Sequence, residues 1–131
     1  MIDVKIITPT GLYKTAQVTQ INARSVEGEF GLLSNHVPMV VMLAVSRLTL
    51  MDANGKKDYA ISGGMLHFAN YVGRILTETI DGEEEIDLER AKKAMERAKK
   101  RLESKESDIN MRRAEIALQK AINRINVKEN R

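Results

Sequence analysis

Side chains that do covalent or metal chemistry are almost absent from this chain. There is no cysteine, so a thiol nucleophile, a thiolate zinc site and a disulfide framework are all excluded. The two histidines, His36 and His67, are isolated; a lone histidine more often satisfies a local hydrogen bond than it ligates or catalyses, and neither is assigned chemistry. No Gly-x-x-x-x-Gly-Lys-Ser/Thr run is present to cradle a phosphate chain. One candidate small-molecule element remains, Ile86-Asp87-x-x-Arg90-Ala91. Read structurally it needs no ligand: Asp87 in a first turn suits the positive end of a helix, and Asp87 with Arg90 forms a surface pair worth about 0.2–0.5 kcal/mol. The run from Gly28 to Gly31 is a second place of interest, a tight loop that presents Glu29 and Phe30. Most charges are merely solvated, and Glu29 taken alone is an ordinary turn residue.

The elements that must position these residues fall into two parts. The chain has 131 residues, about one domain's worth, and a formal charge of +3. Residues 1–82 hold all 8 glycines, both prolines and all five aromatics, with 7 bases balanced by 7 acids. Residues 83–131 hold no glycine, proline or aromatic, and 25 of these 49 residues are charged, so all of the net charge lies here. Glycine and proline punctuate strands and turns while their absence lets a helix run, which places a boundary between two architectures at 82–86. The start, MIDVKIITPT, lacks the basic-then-apolar pattern of a secretory leader, and no run approaches the roughly 18 apolar residues of a membrane span.

In the first part, Ile2, Val4 and Ile6 alternate with polar neighbours, as do Leu48 and Leu50, and Tyr59 and Ile61. Asn54-Gly55 between two such runs predicts a type I′ hairpin pairing 46–52 with 57–62. Further strands are expected at 16–24, 38–44, 64–69 and 71–80, separated by Gly28, Gly31, Gly63-Gly64 and Asn70, with Pro38 opening its strand. This spacing suits an all-β sandwich or flattened barrel. In the second part Leu88, Ala91, Met95, Ala98 and Leu102 recur at 3, 4, 3 and 4, and so do Met111, Ala114, Leu118, Ala121 and Ile125. The segment from Glu103 to Asp108 breaks the seam and supplies N-cap candidates, so an antiparallel α-helical hairpin follows. Its seams are thin and rich in alanine. Against ordering costs of about 1–2 kcal/mol per residue, such a hairpin is expected to lean on the β domain or on a partner, and to be able to open.

Gly28-Glu29-Phe30-Gly31-Leu32-Leu33-Ser34-Asn35-His36-Val37-Pro38, Ile61-Ser62-Gly63-Gly64-Met65-Leu66, Ile86-Asp87-Leu88-Glu89-Arg90-Ala91 and Arg112-Arg113-Ala114-Glu115-Ile116-Ala117-Leu118, in this order, resemble the epsilon subunit of bacterial F-type ATP synthases. The likeness covers essentially all 131 residues. It implies a noncatalytic subunit of the central rotor, its β-sandwich seated between the gamma subunit and the membrane ring of c subunits, and its hairpin regulating ATP hydrolysis by the alpha and beta subunits. It implies a peripheral place on the cytoplasmic face of the bacterial plasma membrane, reached only through the complex. Glu29 and Phe30 then face the c-ring, and the stretch through His36 adjoins gamma. Ser34-Asn35 stands where the family usually has Pro-Gly, and asparagine tolerates the left-handed backbone such a turn needs.

The resemblance further implies ATP as a regulatory ligand, no other cofactor being required. Ile86, Asp87, Arg90 and Ala91 match the family's nucleotide motif, Arg124 matches the second of two late arginines, and Lys120 replaces the first. Asp87 is suited to accept from the adenine amino group or ribose, Ala91 leaves room for the base, and Arg grips phosphate oxygens in bidentate fashion where Lys offers only a point charge. Asp81 stands where ATP-binding relatives carry Glu. Two other readings use the same residues. A nucleic-acid module would employ Lys92, Lys93, Lys99, Lys100 and Arg101, but these alternate with Glu89, Glu96 and Glu103 and lack interleaved aromatics, so no nucleic acid is expected. A generic adapter would zip its hairpin onto a partner helix.

Overall fold

The structure, a computed structural model, describes residues 1–104 and 107–130. Eight strands come first: β1 (Ile2–Thr8), β2 (Gly11–Val18), β3 (Gln20–Ser25), β4 (Gly28–Leu33), β5 (Met39–Asp52), β6 (Gly55–Ala69), β7 (Val72–Leu76) and β8 (Ile80–Gly82). A 3-10 turn at Glu83–Glu85 leads into α1 (Leu88–Glu103) and α2 (Asp108–Glu129). The strands hydrogen-bond in the order β2-β1-β7-β6-β5-β3-β4, with β8 also on β6, and fold over as a sandwich. β1 and β7 run parallel; the other pairs are antiparallel. The expected all-β sandwich followed by an antiparallel helical hairpin is the architecture found.

The alternation of β1 buries Ile2, Val4 and Ile6 and exposes Asp3 and Lys5 between them. These three join Ile21, Leu32, Leu48, Ile61, Leu66, Phe68 and Ile75 in one core. Several boundaries differ from those the sequence suggested. The 16–24 run is two strands, broken at Thr19. The separate strands at 38–44 and 46–52 are the single β5, and those at 57–62 and 64–69 are the single β6. Gly63 and Gly64 are therefore an irregularity inside a strand, not a gap between strands. Both glycines have positive φ there, the register with β5 is unshifted from Val45 against Ser62 to Leu43 against Gly64, and β6 exchanges β8 for β7 as its neighbour. Thr77 ties this corner by donating to the Gly63 carbonyl at 2.6 Å. Long strands that change partners part-way along let one hydrogen-bonded sheet form both layers. The 71–80 run likewise divides into β7 and β8.

The β5–β6 hairpin falls where expected, but Asp52 pairs with Gly55, which leaves Ala53 and Asn54 in the turn. Of the expected Asn54-Gly55 pair only Gly55 has positive φ, at 124°, so the turn is not type I′; the Asp52 carboxylate instead accepts from the Asn54 N–H at 2.7 Å. Positive φ at both central residues occurs at Asn70 and Tyr71, between the paired Ala69 and Val72. Gly28 to Gly31 is not a loop either: it belongs to β4, whose ladder on β3 sets Glu29 opposite Arg24 and Phe30 opposite Ala23.

Each helix starts on a side-chain cap. Asp87 accepts from the Arg90 N–H at 3.1 Å, and Ser107 from that of Asn110 at 3.4 Å. Of the expected cap segment, Lys105 and Glu106 lie outside the described residues. The alanines form the seam, with Ala91, Ala98, Ala114 and Ala121 buried. It is α2 that seats against β5 and β6, while the main packing partner of α1 is α2. The hairpin thus leans on the β domain through one helix.

Candidate functional site

The six residues expected to hold a nucleotide are drawn to one end of the hairpin, where α1 begins and α2 ends. They do not line a common space. Asp87 and Arg90 border an open recess of about 620 Å³ on the flank of α1, with Lys92, Lys93, Glu96 and Arg97. Lys120 and Arg124 border a slot of about 10 Å³ against β6, with Ile61, Ser62 and Thr79. Asp87 is exposed and already caps α1, Arg90 is exposed, and Ile86 and Ala91 are buried, Ile86 beside Ala60 and Val127 and Ala91 in the helix–helix seam. Arg124 donates through Nε to Asp81 Oδ2 at 2.8 Å, both side chains about one-third exposed. Asp87 and Arg90 are joined through the Arg90 main chain; their expected surface pairing takes the form of a cap.

Glu29 is exposed on β4, at one edge of the sheet order, and Phe30 beside it is half-buried against the core. His36 is exposed, its Nδ1 2.8 Å from the Val37 carbonyl oxygen, a local bond of the kind expected for a lone histidine.

The joint between the two parts is built from residues with no local signal. Tyr13 on β2 donates its phenol to the Glu85 carboxylate, which also accepts from the Gly82 N–H at 3.0 Å. Burial first, and the Glu85 carboxylate second, push the Tyr13 phenol above its ordinary range, so it stays protonated and remains a donor. Lys128 donates to the Glu83 carbonyl at 3.1 Å. On the sandwich, Asn123 Nδ2 donates to the carbonyls of Ser46 at 2.8 Å and Ile61 at 3.4 Å, two residues opposite each other in the β5–β6 ladder. Arg47 Nη2 donates to the Asn126 carbonyl at 2.9 Å, while its Nη1 lies 4.0 Å from Asp58 Oδ2. Among the described residues, Ala60, Ile86 and Val127 form one compact buried apolar cluster at this seat.

Strand alternation puts Asp58 and Ala60 on the solvent side of β6, yet Asp58, Tyr59, Ala60 and Ile61 are all buried. Tyr59 and Ile61 face the sandwich core, and Ala60 faces α2. A carboxylate in mid-strand was the available signal; its partners lie across the sheet, where spacing carries no information.

Residues 1–82 match the sequence model described as ATP synthase, Delta/Epsilon chain, beta-sandwich domain, and residues 84–129 match ATP synthase, Delta/Epsilon chain, long alpha-helix domain. The chain is 34% identical over 127 residues to a protein named ATP synthase epsilon chain from Caldicellulosiruptor bescii, spanning 97% of this chain and 93% of that one. It is 40% identical over 127 residues to the protein of the same name from Alkalihalophilus pseudofirmus, spanning 96% of each. Among solved structures it is similar to a chain in the cryo-EM structure of the Euglena gracilis mitochondrial ATP synthase, OSCP/F1/c-ring in rotational state 1, with a TM-score of 0.79, 33% identity, and 90% of this chain and 75% of that one covered. A chain of the Tetrahymena thermophila mitochondrial ATP synthase central stalk and c-ring shares the fold, at a TM-score of 0.62 and 13% identity over 97% of this chain and 96% of that one.

Proposed function

This chain belongs to the delta/epsilon-chain family of ATP synthase and is a noncatalytic subunit of that enzyme, and from this premise we propose that its sandwich couples gamma to the c-ring while its hairpin restrains ATP hydrolysis. The observation that carries the proposal is the joint. A helix pair rests on a folded domain through a few polar bonds and one small apolar cluster, which is a contact suited to being made and broken.

In the docked state Glu29, at the edge formed by β4, is free to meet basic polar loops of the c-ring, and the face through His36 adjoins gamma. Released, residues 86–127 extend along gamma; at 1.5 Å per residue, about 42 helical residues reach roughly 60 Å, from the base of the stalk into the catalytic head. There Arg112, Arg113, Lys120 and Arg124 meet acidic segments of beta and oppose rotation in the hydrolysis direction. Among the described residues no helix is long and apolar enough to cross a membrane. The subunit reaches the cytoplasmic face of the membrane through its partners.

ATP is the ligand proposed to favour the folded hairpin, by drawing Asp87 and Arg90, which border one recess, toward Lys120 and Arg124, which border another. Its phosphates would take Arg124 from Asp81, an exchange that costs little because the pair is partly exposed and such pairs contribute about 1 kcal/mol or less. Arg90 and Lys120 supply further positive charge from the two helices, and Asp87 accepts from adenine or ribose. A ligand specific for one state at 100 times its Kd stabilises that state by about 2.7 kcal/mol, enough to reverse a modest preference for the open form.

Calorimetric titration of the full chain with ATP and with GTP tests this site. Adenine-selective binding that Asp87→Ala and Arg90→Ala each weaken at least tenfold is the expected result. No heat at millimolar ATP would remove nucleotide sensing and leave a coupling subunit whose hairpin answers to rotation alone.

A further inference from the structure

A buried carboxylate on the outer face of β6 lies beside the place where the hairpin lands. The Asp58 side chain is only 3% exposed, sits opposite Thr49 in the β5–β6 ladder, and accepts from Thr49 Oγ1 at 2.7 Å. Beside it on β5, Arg47 is 28% exposed and spans the joint: one terminal nitrogen faces Asp58, the other donates to the carbonyl of Asn126 in the last turn of α2. That turn carries the negative end of the helix, and a cation there is favoured. A carboxylate out of water is costly unless paired, and a well-packed apolar pair would serve the sandwich as well. What an apolar pair would not do is hold a guanidinium aimed at a helix terminus.

We propose that Asp58 and Arg47 form a release latch for the hairpin, Asp58 orienting Arg47 and Arg47 capping the C-terminal end of α2 from outside the helix. Asn123 completes it, bridging the Ser46 and Ile61 carbonyls on the rung next to Arg47 in the same ladder. The main packing partner of α1 is α2. Opening the latch therefore frees the two helices as a unit, with their alanine seam intact, before any extension. The latch rests on the reading of the hairpin as mobile.

The absence of cysteine allows a direct test in the full chain. Spin labels at Glu27→Cys, in the exposed β3–β4 turn, and Glu115→Cys, on the exposed side of α2, report the distance between sandwich and hairpin. The docked chain is expected to give one dominant short distance. Asp58→Asn and Asn123→Ala are each expected to raise the fraction at longer distance at least fivefold, with helical circular dichroism unchanged. Asn123 lies on the helix, so its variant reports on docking without touching the sandwich. The paired change Arg47→Leu with Asp58→Leu removes both charges without stranding either, and is expected to keep the melting temperature of the sandwich while releasing the hairpin. Unchanged distances in Asn123→Ala and in the paired variant would overturn the latch. Hydrolysis by the assembled enzyme separates the two claims: variants that release the hairpin, with hydrolysis unchanged both by them and by removal of 86–131, would sink the inhibitory reading and leave the latch, whereas inhibition that depends on 86–131 in variants that do not release the hairpin would overturn the latch and leave the inhibitory reading.

Discussion

Replacing Gly64 by alanine is expected to lower the melting temperature of the sandwich by about 12 °C or more. Two costs combine at this position. The backbone has φ of 137°, where side chains are strained, and an added Cβ would be driven into the Leu76 carbonyl oxygen and the backbone beside it. Backbone atoms cannot rotate away as a side chain can, so relief requires moving β7 off β6 at the corner where β6 changes neighbours. Strain and a backbone clash together cost about 3 kcal/mol or more, and each kcal/mol is worth about 4–8 °C in a domain of this size. Gly55→Ala is the matched comparison. Its φ is 124° but nothing lies within 4 Å of the added atom, so it bears strain alone, about 1–2 kcal/mol. Equal melting temperatures for the two variants would mean that the close approach of Leu76 to Gly64 does not exist in solution.

Ala114→Leu is expected to destroy the hairpin while sparing the sandwich. Ala114 is fully buried in the helix–helix seam, whose other buried members are alanines save for Ile125 near its end, so the spacing of the helices around Ala114 is set by methyl groups. Three further carbons in a closed seam cost about 1–3 kcal/mol, which is minor for the sandwich but large for a helix pair this thinly packed. Hydrogen exchange should show lost protection across α1 and α2 with the β-strand amides unchanged, and assembled enzyme carrying the variant, its folded hairpin disfavoured against the extended arm, should hydrolyse ATP more slowly. Glu115→Leu, one residue on and exposed, is expected to stay within about 0.5 kcal/mol of the parent. Equal behaviour of the two variants would contradict the seam.

How much of this was legible in the sequence depends on the range of the interaction concerned. The period-2 burial of β1, the seams of both helices and the Asp87 cap all follow from neighbours within four residues, where spacing is informative. Turn chemistry was legible in position and not in type: Asn54-Gly55 marked a hairpin, but Asp52 takes the Asn54 N–H and only Gly55 goes to positive φ. The turn with two left-handed residues uses Tyr71, a residue that rarely adopts that conformation and gives no warning. Glycines misled twice for one reason. Gly28 and Gly31 sit in a paired strand, and Gly63-Gly64 bends a strand without ending it, because ladder partners decide where a strand stops. The joint between the domains was beyond reach. Arg124 finds Asp81 and Arg47 finds Asn126 across the folded molecule, and only the docking of α2 explains why Ala60 is buried.

Residues 86–131 are proposed to restrain hydrolysis while residues 1–82 couple the rotor. The most direct measurement is the ATP hydrolysis rate of the assembled, membrane-bound enzyme with and without residues 86–131, taken alongside ATP-driven proton pumping. A several-fold rise in hydrolysis with pumping retained is the expected result. An unchanged rate would contradict the inhibitory role and reduce the hairpin to a packing element.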